Sequence, residues 1–236
     1  STVEVEVAVA KVGKWAAGES GDTLEMIERP RGGLSLVLVD GQRSGRAAKA
    51  ISNLVARKAI AELAEGVRDG AAARAAHDYL HAYKGGKVSA TLNIVSVDLA
   101  TGTLVLSSNN PCPAILVHAD GAVQVLDQPS QPVGIYQRTK PAIAELPLQP
   151  GLTLVVYTDG LAFAGENRGE TLDLPAEVQQ RVAAGHSAGQ LADGLLERAL
   201  ALESGRPRDD ISVLVLQVRP EEGHQVRRML VQLPIS

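Results

Sequence analysis

Gly-Leu-Ser-Leu-Val-Leu-Val-Asp-Gly, residues 33–41, decides the fold of this chain, and residues 151–160, Gly-Leu-Thr-Leu-Val-Val-Tyr-Thr-Asp-Gly, repeat its pattern. Each is a near-continuous apolar run that predicts a buried strand, and each ends in aspartate followed by glycine. Residues 208–218, Arg-Asp-Asp-Ile-Ser-Val-Leu-Val-Leu-Gln-Val, reverse the order, because the acids precede the strand. If this third strand runs antiparallel to the first two, all the carboxylates lie at one sheet edge. Such a cluster of oxygen ligands suits a divalent cation such as Mg²⁺ or Mn²⁺.

Length and composition predict a single globular domain that covers residues 1–236. A chain of 236 residues with 45% hydrophobic residues can bury a full core. The formal net charge of −4 and the absence of a Lys/Arg run argue against a nucleic-acid-binding surface. No apolar stretch approaches the ~20 residues of a membrane span. Cys112 is the one cysteine, which excludes an intrachain disulfide, so we expect a soluble, cytoplasmic protein with a structural thiol there.

The order of the predicted elements indicates an α+β fold of antiparallel sheets covered by segregated helices. The βαβ alternation of a doubly wound parallel sheet is missing. The predicted strands are 3–11, 24–28, 34–39, 88–99, 103–108, 114–118, 122–126, 152–157, 211–218 and 226–233. The predicted helices are 48–63, 69–83, one that follows Pro175, and one that runs from a capping box at Ser187 and Gln190 to about Leu202.

Strand context, rather than the Asp-Gly dipeptide, carries the functional signal. The chain contains five Asp-Gly pairs, and a turn or surface role explains most of them. Asp40 and Asp159 differ, because each ends a buried strand, where a carboxylate costs free energy unless a cation or a donor satisfies it. The adjacent Asp209 and Asp210 add support, since like charges repel unless a cation lies near them. Asp22 is either a further ligand or a turn residue.

Other chemistries have weaker support in the sequence. His77 and His81 lie four residues apart on a predicted helix, but no glutamate stands between them as in a zinc protease. The glycines of 41–45 either place an anion at a helix N-terminus or simply connect a strand to a helix. Gly-His-Ser-Ala-Gly at 185–189 matches the Gly-x-Ser-x-Gly pattern, but it follows a predicted helical segment and not the strand that a nucleophile elbow requires. The chain has no glycine-rich phosphate loop. Acyl transfer and nucleoside triphosphate binding are therefore not predicted.

Taken in order, these segments resemble the metal-dependent (PPM-type) protein serine/threonine phosphatases. The closer likeness is to the bacterial branch of the stage II sporulation protein E phosphatase and of the phosphatases that regulate stress sigma factors. The segments that carry the resemblance are Ser20-Gly21-Asp22, Val39-Asp40-Gly41 with Ser44–Ala48, Ser89–Leu92, Pro132-Val133-Gly134, Thr158-Asp159-Gly160 and Asp209-Asp210-Ile211-Ser212.

The resemblance implies a four-layer α-β-β-α sandwich with two Mn²⁺ or Mg²⁺ ions at one end. It implies that Asp40 bridges both metals, with a carbonyl ligand from Gly41, and that Asp159 and Asp209 hold the second ion. Asp210 would lie beside them, and Asp22 would contribute directly or through water. Asp40, Asp159 and Asp209 are thus the expected catalytic residues. The implied reaction is hydrolysis of phosphoserine or phosphothreonine by a metal-activated water. The implied substrate is a phosphorylated protein, with an anti-anti-sigma factor or a stress-signalling scaffold as the family-based expectation.

Three departures from the family pattern keep other functions open. Arg43-Ser44-Gly45 replaces the usual Gly-His-Gly, 109–112 replaces Asn-Ala-Gly-His, and Phe163 replaces a common acid. None removes an expected metal ligand, but each can alter substrate docking or activity. One alternative is therefore a catalytically weak or inactive module of the same fold that binds a phosphoprotein. Another is a metal-dependent hydrolase of a small phosphate ester.

Overall fold

A computed structural model of the protein describes residues 2–221, 223 and 225–235. Within these residues the chain forms ten strands and five helices, and the strands build two sheets of five. The fold is α+β, as the element order predicts. Every strand pair is antiparallel.

The first sheet has the order β1-β10-β9-β6-β7 and the second the order β2-β3-β4-β5-β8. The strands are β1 Val3–Val12, β2 Asp22–Glu28, β3 Leu34–Gly41, β4 Ala90–Asp98, β5 Thr103–Asn109, β6 Ala114–Val117, β7 Val123–Leu126, β8 Ala142–Pro147, β9 Thr153–Tyr157 and β10 Ile211–Pro220. The long N-terminal strand β1 thus pairs with the last strand, β10, along its whole length.

Helices cover the outer face of each sheet and complete the four-layer sandwich. They are α1 Gly45–Ala64, α2 Asp69–Lys84, α3 Asp159–Ala162, α4 Leu174–Ala183 and α5 Ala188–Leu202. The helices α1 and α2 pack on the second sheet, whereas α4 and α5 pack on the first. The capping box of Ser187 and Gln190 is present at the start of α5. Within the described ranges, no helix has both the length and the apolar character that crossing a membrane requires.

The core explains why the decisive strands are apolar on both faces. In β10, Val213 and Val215 pack toward α5, while Leu214 and Leu216 pack between the two sheets. The strand β3 follows the same rule, with one face toward α1 and the other toward the first sheet. A strand covered on both faces needs apolar residues at every position, so its sequence shows a continuous run instead of an alternation.

Two predictions about strands need correction. No strand forms at 226–233, where the sequence predicts a last one. Its side chains are exposed, Leu230 by 86%, and a strand also needs a partner for its backbone groups. Conversely, the sequence analysis missed β8 at Ala142–Pro147. This strand lies at a sheet edge, where a terminal proline is tolerated and a half-exposed pattern gives a weak signal.

Candidate functional site

The predicted acids meet at one end of the sandwich, and both sheets contribute them. Asp159 lies two residues after β9, at the start of α3, and Asp209 lies two residues before β10, which runs antiparallel to β9 as predicted. Asp40, however, lies near the end of β3 in the second sheet. The prediction of a single sheet edge is therefore wrong. The acids approach one another across the gap between the two sheets.

Asp22 lies within β2, so its interpretation as a turn residue is wrong. It is fully buried and pairs directly with Asp40 in the β2–β3 ladder. Two hydroxyls from the first sheet donate hydrogen bonds to its Oδ2 atom, Ser212 Oγ at 2.6 Å and Thr158 Oγ1 at 3.2 Å. Its Oδ1 atom is buried and has no partner among the described residues. Ser212 and Thr158 had no role in the sequence analysis, because contacts between two sheets leave no local signal.

Two lysines bind the backbone at the start of β2. Lys11 Nζ and Lys49 Nζ each donate a hydrogen bond to the backbone carbonyl of Asp22, both at 2.7 Å. Burial, and then the nearby Lys49 charge, lowers the pKa of Lys11. The sequence analysis did not identify these cations. They place positive charge beside the acidic cluster and stabilise it.

Mutual repulsion shapes the electrostatics of the cluster. Burial first, and then the charges of Asp22 and Asp159, raises the pKa of Asp40 to about 10. Burial and then the charge of Asp159 raise the pKa of Asp209 to about 7. Burial also raises the pKa of Asp22, against the opposing effect of the Ser212 hydrogen bond. Carboxylates this close must take up protons or be neutralised by a cation.

Asp210 binds the loop that precedes β2. It is only 2% exposed, and its two carboxylate oxygens accept hydrogen bonds from the backbone N–H groups of Lys14 and Gly21, each at 2.8 Å. Both oxygens of this predicted ligand thus already have a donor. The bonds fix the 14–21 loop against the start of β10 and so fix the entry of Asp22 into β2.

The glycines beside the acids are required by packing. A Cβ atom on Gly160 would lie 2.1 Å from the carbonyl oxygen of Asp210, and one on Gly41 would lie 2.2 Å from that of Ala48. Neither glycine has a positive φ angle, so the requirement is space and not backbone conformation. The missing side chains bring Asp159 next to Asp210 and β3 against the start of α1.

Asn110, one of the residues that depart from the family pattern, connects the two sheets near the acids. Its Nδ2 donates to the carbonyl of Tyr157 at 3.1 Å and to Asn93 Oδ1 at 3.3 Å, while its Oδ1 accepts from the N–H of Cys112 at 2.9 Å. Burial and then the charge of Asp159 raise the pKa of the Cys112 thiol to about 11. A thiol held in its neutral form is structural, in agreement with the sequence analysis.

His77 and His81 hold a loop. The N–H of Gly134 donates to His77 Nδ1 at 2.9 Å, and the carbonyl of Gly134 lies 3.1 Å from His81 Nδ1. The neighbouring Val133 forms a two-bond bridge with Ala90, which lies opposite Gly41 in the β3–β4 ladder. The Pro-x-Gly stretch therefore supports the strand beside the acids, with the histidines as its anchor.

An open cavity of about 260 Å³ lies beside the cluster, with Asp159, Asp209, Phe163, Glu203 and Arg208 in its lining. No group of three or more His, Cys, Asp or Glu side chains in the described part of the chain is arranged to hold a metal ion as the side chains stand. The donors nevertheless suit a hard cation. Asp159 Oδ1, like Asp22 Oδ1, is buried without a hydrogen-bond partner among the described residues. Carboxylate oxygens are the ligands that Mg²⁺ and Mn²⁺ prefer, so the residues fit such an ion.

Comparison with known proteins relates this geometry to a family. The model of the family described as Stage II sporulation protein E (SpoIIE) matches residues 30–219. The curated stage II sporulation protein E of Bacillus subtilis (strain 168) is 22% identical over 214 residues, which cover 91% of this chain and 26% of the relative. The chain thus spans about a quarter of that relative's length.

Solved structures share the fold. The PP2C phosphatase domain of Bacillus subtilis SpoIIE, with a fragment of its regulatory domain, has a TM-score of 0.78 at 22% identity and covers 92% of this chain and 64% of that chain. The RsbU and RsbW domains of a Mycobacterium tuberculosis protein give 0.76 at 23%, covering 91% and 60%. The catalytic domain of the serine threonine protein phosphatase PstP, in complex with two manganese ions, gives 0.68 at 17%, covering 93% and 100%. These likenesses establish the fold of a PP2C phosphatase domain.

Proposed function

Because the chain belongs to the stage II sporulation protein E (SpoIIE) family, we propose that it is a metal-dependent phosphatase that hydrolyses phosphoserine or phosphothreonine on a regulatory protein. One observation carries the proposal. Asp40 from one sheet and Asp209 from the other both lie close enough to Asp159 that its charge, after burial, raises the pKa of each. A cluster of that kind in a cleft is typical of a functional site. We further propose that residues 1–236 form one phosphatase domain.

The proposed metal ligands are Asp40, the Gly41 carbonyl, Asp159, Asp209 and Asp22, which would hold two Mn²⁺ or Mg²⁺ ions. When bound, the ions supply an activated water and neutralise the charge of the phosphoryl group. The free Oδ1 atoms of Asp22 and Asp159 support this assignment. Asp210 accepts two backbone N–H groups, so we assign it to fixing the loop that leads to Asp22.

The residues around the cluster position the acids and admit the substrate. Ser212 and Thr158 orient Asp22 through its Oδ2 atom, which turns the other oxygen toward the cluster. The cavity beside Asp159 and Asp209 is open to solvent and can admit a phosphorylated side chain. Cys112 is the one thiol of the chain, and burial raises its pKa to about 11, which disfavours a thiolate nucleophile. Direct attack by water therefore fits these residues best.

The proposed substrate is a phosphorylated signalling protein. The family includes stage II sporulation protein E, and a solved neighbour combines RsbU and RsbW domains in one chain. These relatives support a partner in sigma-factor control, such as an anti-anti-sigma factor or a stress scaffold protein. Assays of phosphate release from individual phosphorylated signalling proteins would identify the substrate.

Phosphate release from a phosphoserine peptide tests the function. We expect release with Mn²⁺, loss of release with a chelator, and recovery when Mn²⁺ is added back. Asp40→Asn should abolish release, because a neutral amide is a weaker ligand than a carboxylate for a hard divalent cation. Asp120→Asn is the matched control, since Asp120 belongs to a hairpin turn, where its Oδ1 accepts the N–H of Ala122. Full activity of Asp40→Asn would contradict the proposal.

A second candidate function is a module that binds a phosphoprotein without hydrolysing it. It is favoured by the departures from the family pattern at Arg43-Ser44-Gly45 and at Phe163, which can alter activity. Calorimetric titration with Mn²⁺ separates the two functions. Binding of Mn²⁺ that is lost in Asp40→Asn supports the phosphatase, and absence of any binding supports the module.

A further inference from the structure

The only tryptophan and the only phenylalanine of this chain are both exposed. Trp15 is 55% exposed and Phe163 is 52% exposed. Large aromatic side chains normally supply core area, and a protein with 3% aromatic residues has few to spare. Their exposure therefore asks for an explanation other than folding.

One short turn connects the two aromatic residues. The N–H of Trp15 donates to the carbonyl of Pro207 at 2.9 Å, and the Arg206 guanidinium lies 4.9 Å from the centre of the Trp15 ring. On the other side, Arg208 Nη2 donates to the carbonyl of Phe163 at 3.2 Å. Three consecutive residues, 206–208, thus contact both aromatic residues. The turn then enters Asp209 directly.

Both aromatic residues are also connected to the acidic cluster. Phe163 lines the cavity together with Asp159 and Asp209. Trp15 follows Lys14, whose N–H is bonded to Asp210. The position of each aromatic residue is therefore fixed by the same segments that fix the acids, and each flanks the place where a phosphorylated side chain would enter.

We propose that Trp15, Phe163, Arg206 and Arg208, here called the aromatic rim, bind the polypeptide on both sides of the phosphorylated residue. The inference rests on the proposed function and specifies its substrate as an extended segment of a phosphoprotein. Aromatic and arginine side chains are the usual anchors of such contacts, because they offer a large, flat contact area. The two arginines also complement the negative charge of a phosphopeptide.

Glu203 holds one arginine of the rim in place. It is 6% exposed, and its Oε1 accepts from the Nε and the backbone N–H of Arg208 at 3.3 and 3.4 Å. Its Oε2 accepts from the N–H of Gly165 at 3.2 Å, so one buried carboxylate ties the Phe163 loop to the 206–208 turn. A rim preorganised in this way loses less entropy when a peptide binds.

Kinetics on two substrates tests the proposal. Trp15→Ala and Phe163→Ala should each lower kcat/KM on a synthetic phosphoserine peptide, with leucines on both sides of the phosphoserine, by about tenfold, mainly through KM. On free phosphoserine the same variants should change far less. Tyr83→Ala is the control, because Tyr83 is a 63% exposed aromatic residue on α2 and outside the rim. Equal losses on both substrates, or no loss on the peptide, would overturn the inference.

Fluorescence supplies an independent measurement, since Trp15 is the single tryptophan. Adding the same peptide with serine in place of phosphoserine, which cannot be hydrolysed, should shift the Trp15 emission in a saturable way, and Phe163→Ala should weaken that binding. An emission that the peptide does not change would contradict the rim. A wild-type protein that hydrolyses neither substrate with Mn²⁺ would refute the proposed function, and the titration would still decide the inference.

Discussion

Asp22 and Asp40 lie directly opposite each other in the β2–β3 ladder, at the end of the sandwich where Asp159 and Asp209 arrive from the other sheet. Directly paired residues share a face of the sheet, so like charges there destabilise the fold. The Ser212 and Thr158 hydroxyls and the Lys11 and Lys49 ammonium groups offset part of that repulsion. The repulsion that remains between the carboxylates favours the binding of cations.

The stability of the metal-free protein should fall as the pH rises from about 4 to 7. Burial and Asp159 raise the folded-state pKa of Asp209 from 3.8 to about 7. The folded state therefore binds more protons than the unfolded state in this window, and its stability is present below the window and lost as the pH rises through it. Urea unfolding with a chelator measures the effect. The free energy of unfolding of Asp209→Asn should fall less steeply with pH than that of the wild type. Saturating Mn²⁺ should remove the fall in the wild type. A midpoint difference between the two proteins that does not change with pH would contradict the assignment.

Ser212→Ala should destabilise the protein by about 1–3 kcal/mol, because it removes the 2.6 Å donor to the buried Asp22 carboxylate. Ser107→Ala is the matched control. Ser107 is equally buried, yet its hydroxyl has no hydrogen-bond partner among the described residues, so its loss should be neutral or stabilising. Chemical denaturation of both variants checks the difference. Equal effects would show that the Ser212 hydroxyl does not support Asp22.

Gly160→Ala should cost about 1–3 kcal/mol, because the new Cβ would overlap the carbonyl oxygen of Asp210 at 2.1 Å. The displaced backbone should also weaken Mn²⁺ binding, which calorimetry measures. Gly189→Ala, in the first turn of α5, adds its Cβ where no atom lies within 4 Å. That control should raise stability by up to about 1 kcal/mol. A Gly160→Ala protein as stable as the control would exclude the close packing at this position.

Arg43→Gly should stabilise the protein by about 1 kcal/mol, because Arg43 has a φ angle of +81° that a side chain disfavours. The matched control is Arg57→Gly, an exposed position inside α1, where glycine should cost about 1 kcal/mol. Thermal unfolding compares the two variants. A loss of stability in Arg43→Gly would mean that the Arg43 side chain makes contacts that outweigh the strain.

The elements with the strongest local sequence signals were predicted well. The runs at 33–41 and 151–160 form β3 and β9, and the capping box starts α5. Predictions failed where the formation of a strand depends on pairing with a distant segment of the chain. The 226–233 segment is predicted as a strand but is exposed and forms no ladder with any described strand, whereas β8 pairs with β5 in spite of its weak pattern. Hydrophobic pattern is local, and backbone pairing is not.

The sequence by itself determined which residues are acidic at strand ends, that the strands are covered on both faces, and that the fold is α+β. Only the tertiary structure decided that Asp40 and Asp159 come from different sheets, that Asp22 lies in a strand opposite Asp40, and that Asp210 ties down a loop. The physical reason is distance along the chain. Ser212 and Asp22 are separated by 190 positions, and no periodicity in a sequence reports a hydrogen bond between such residues. Packing of the two sheets alone brings them together.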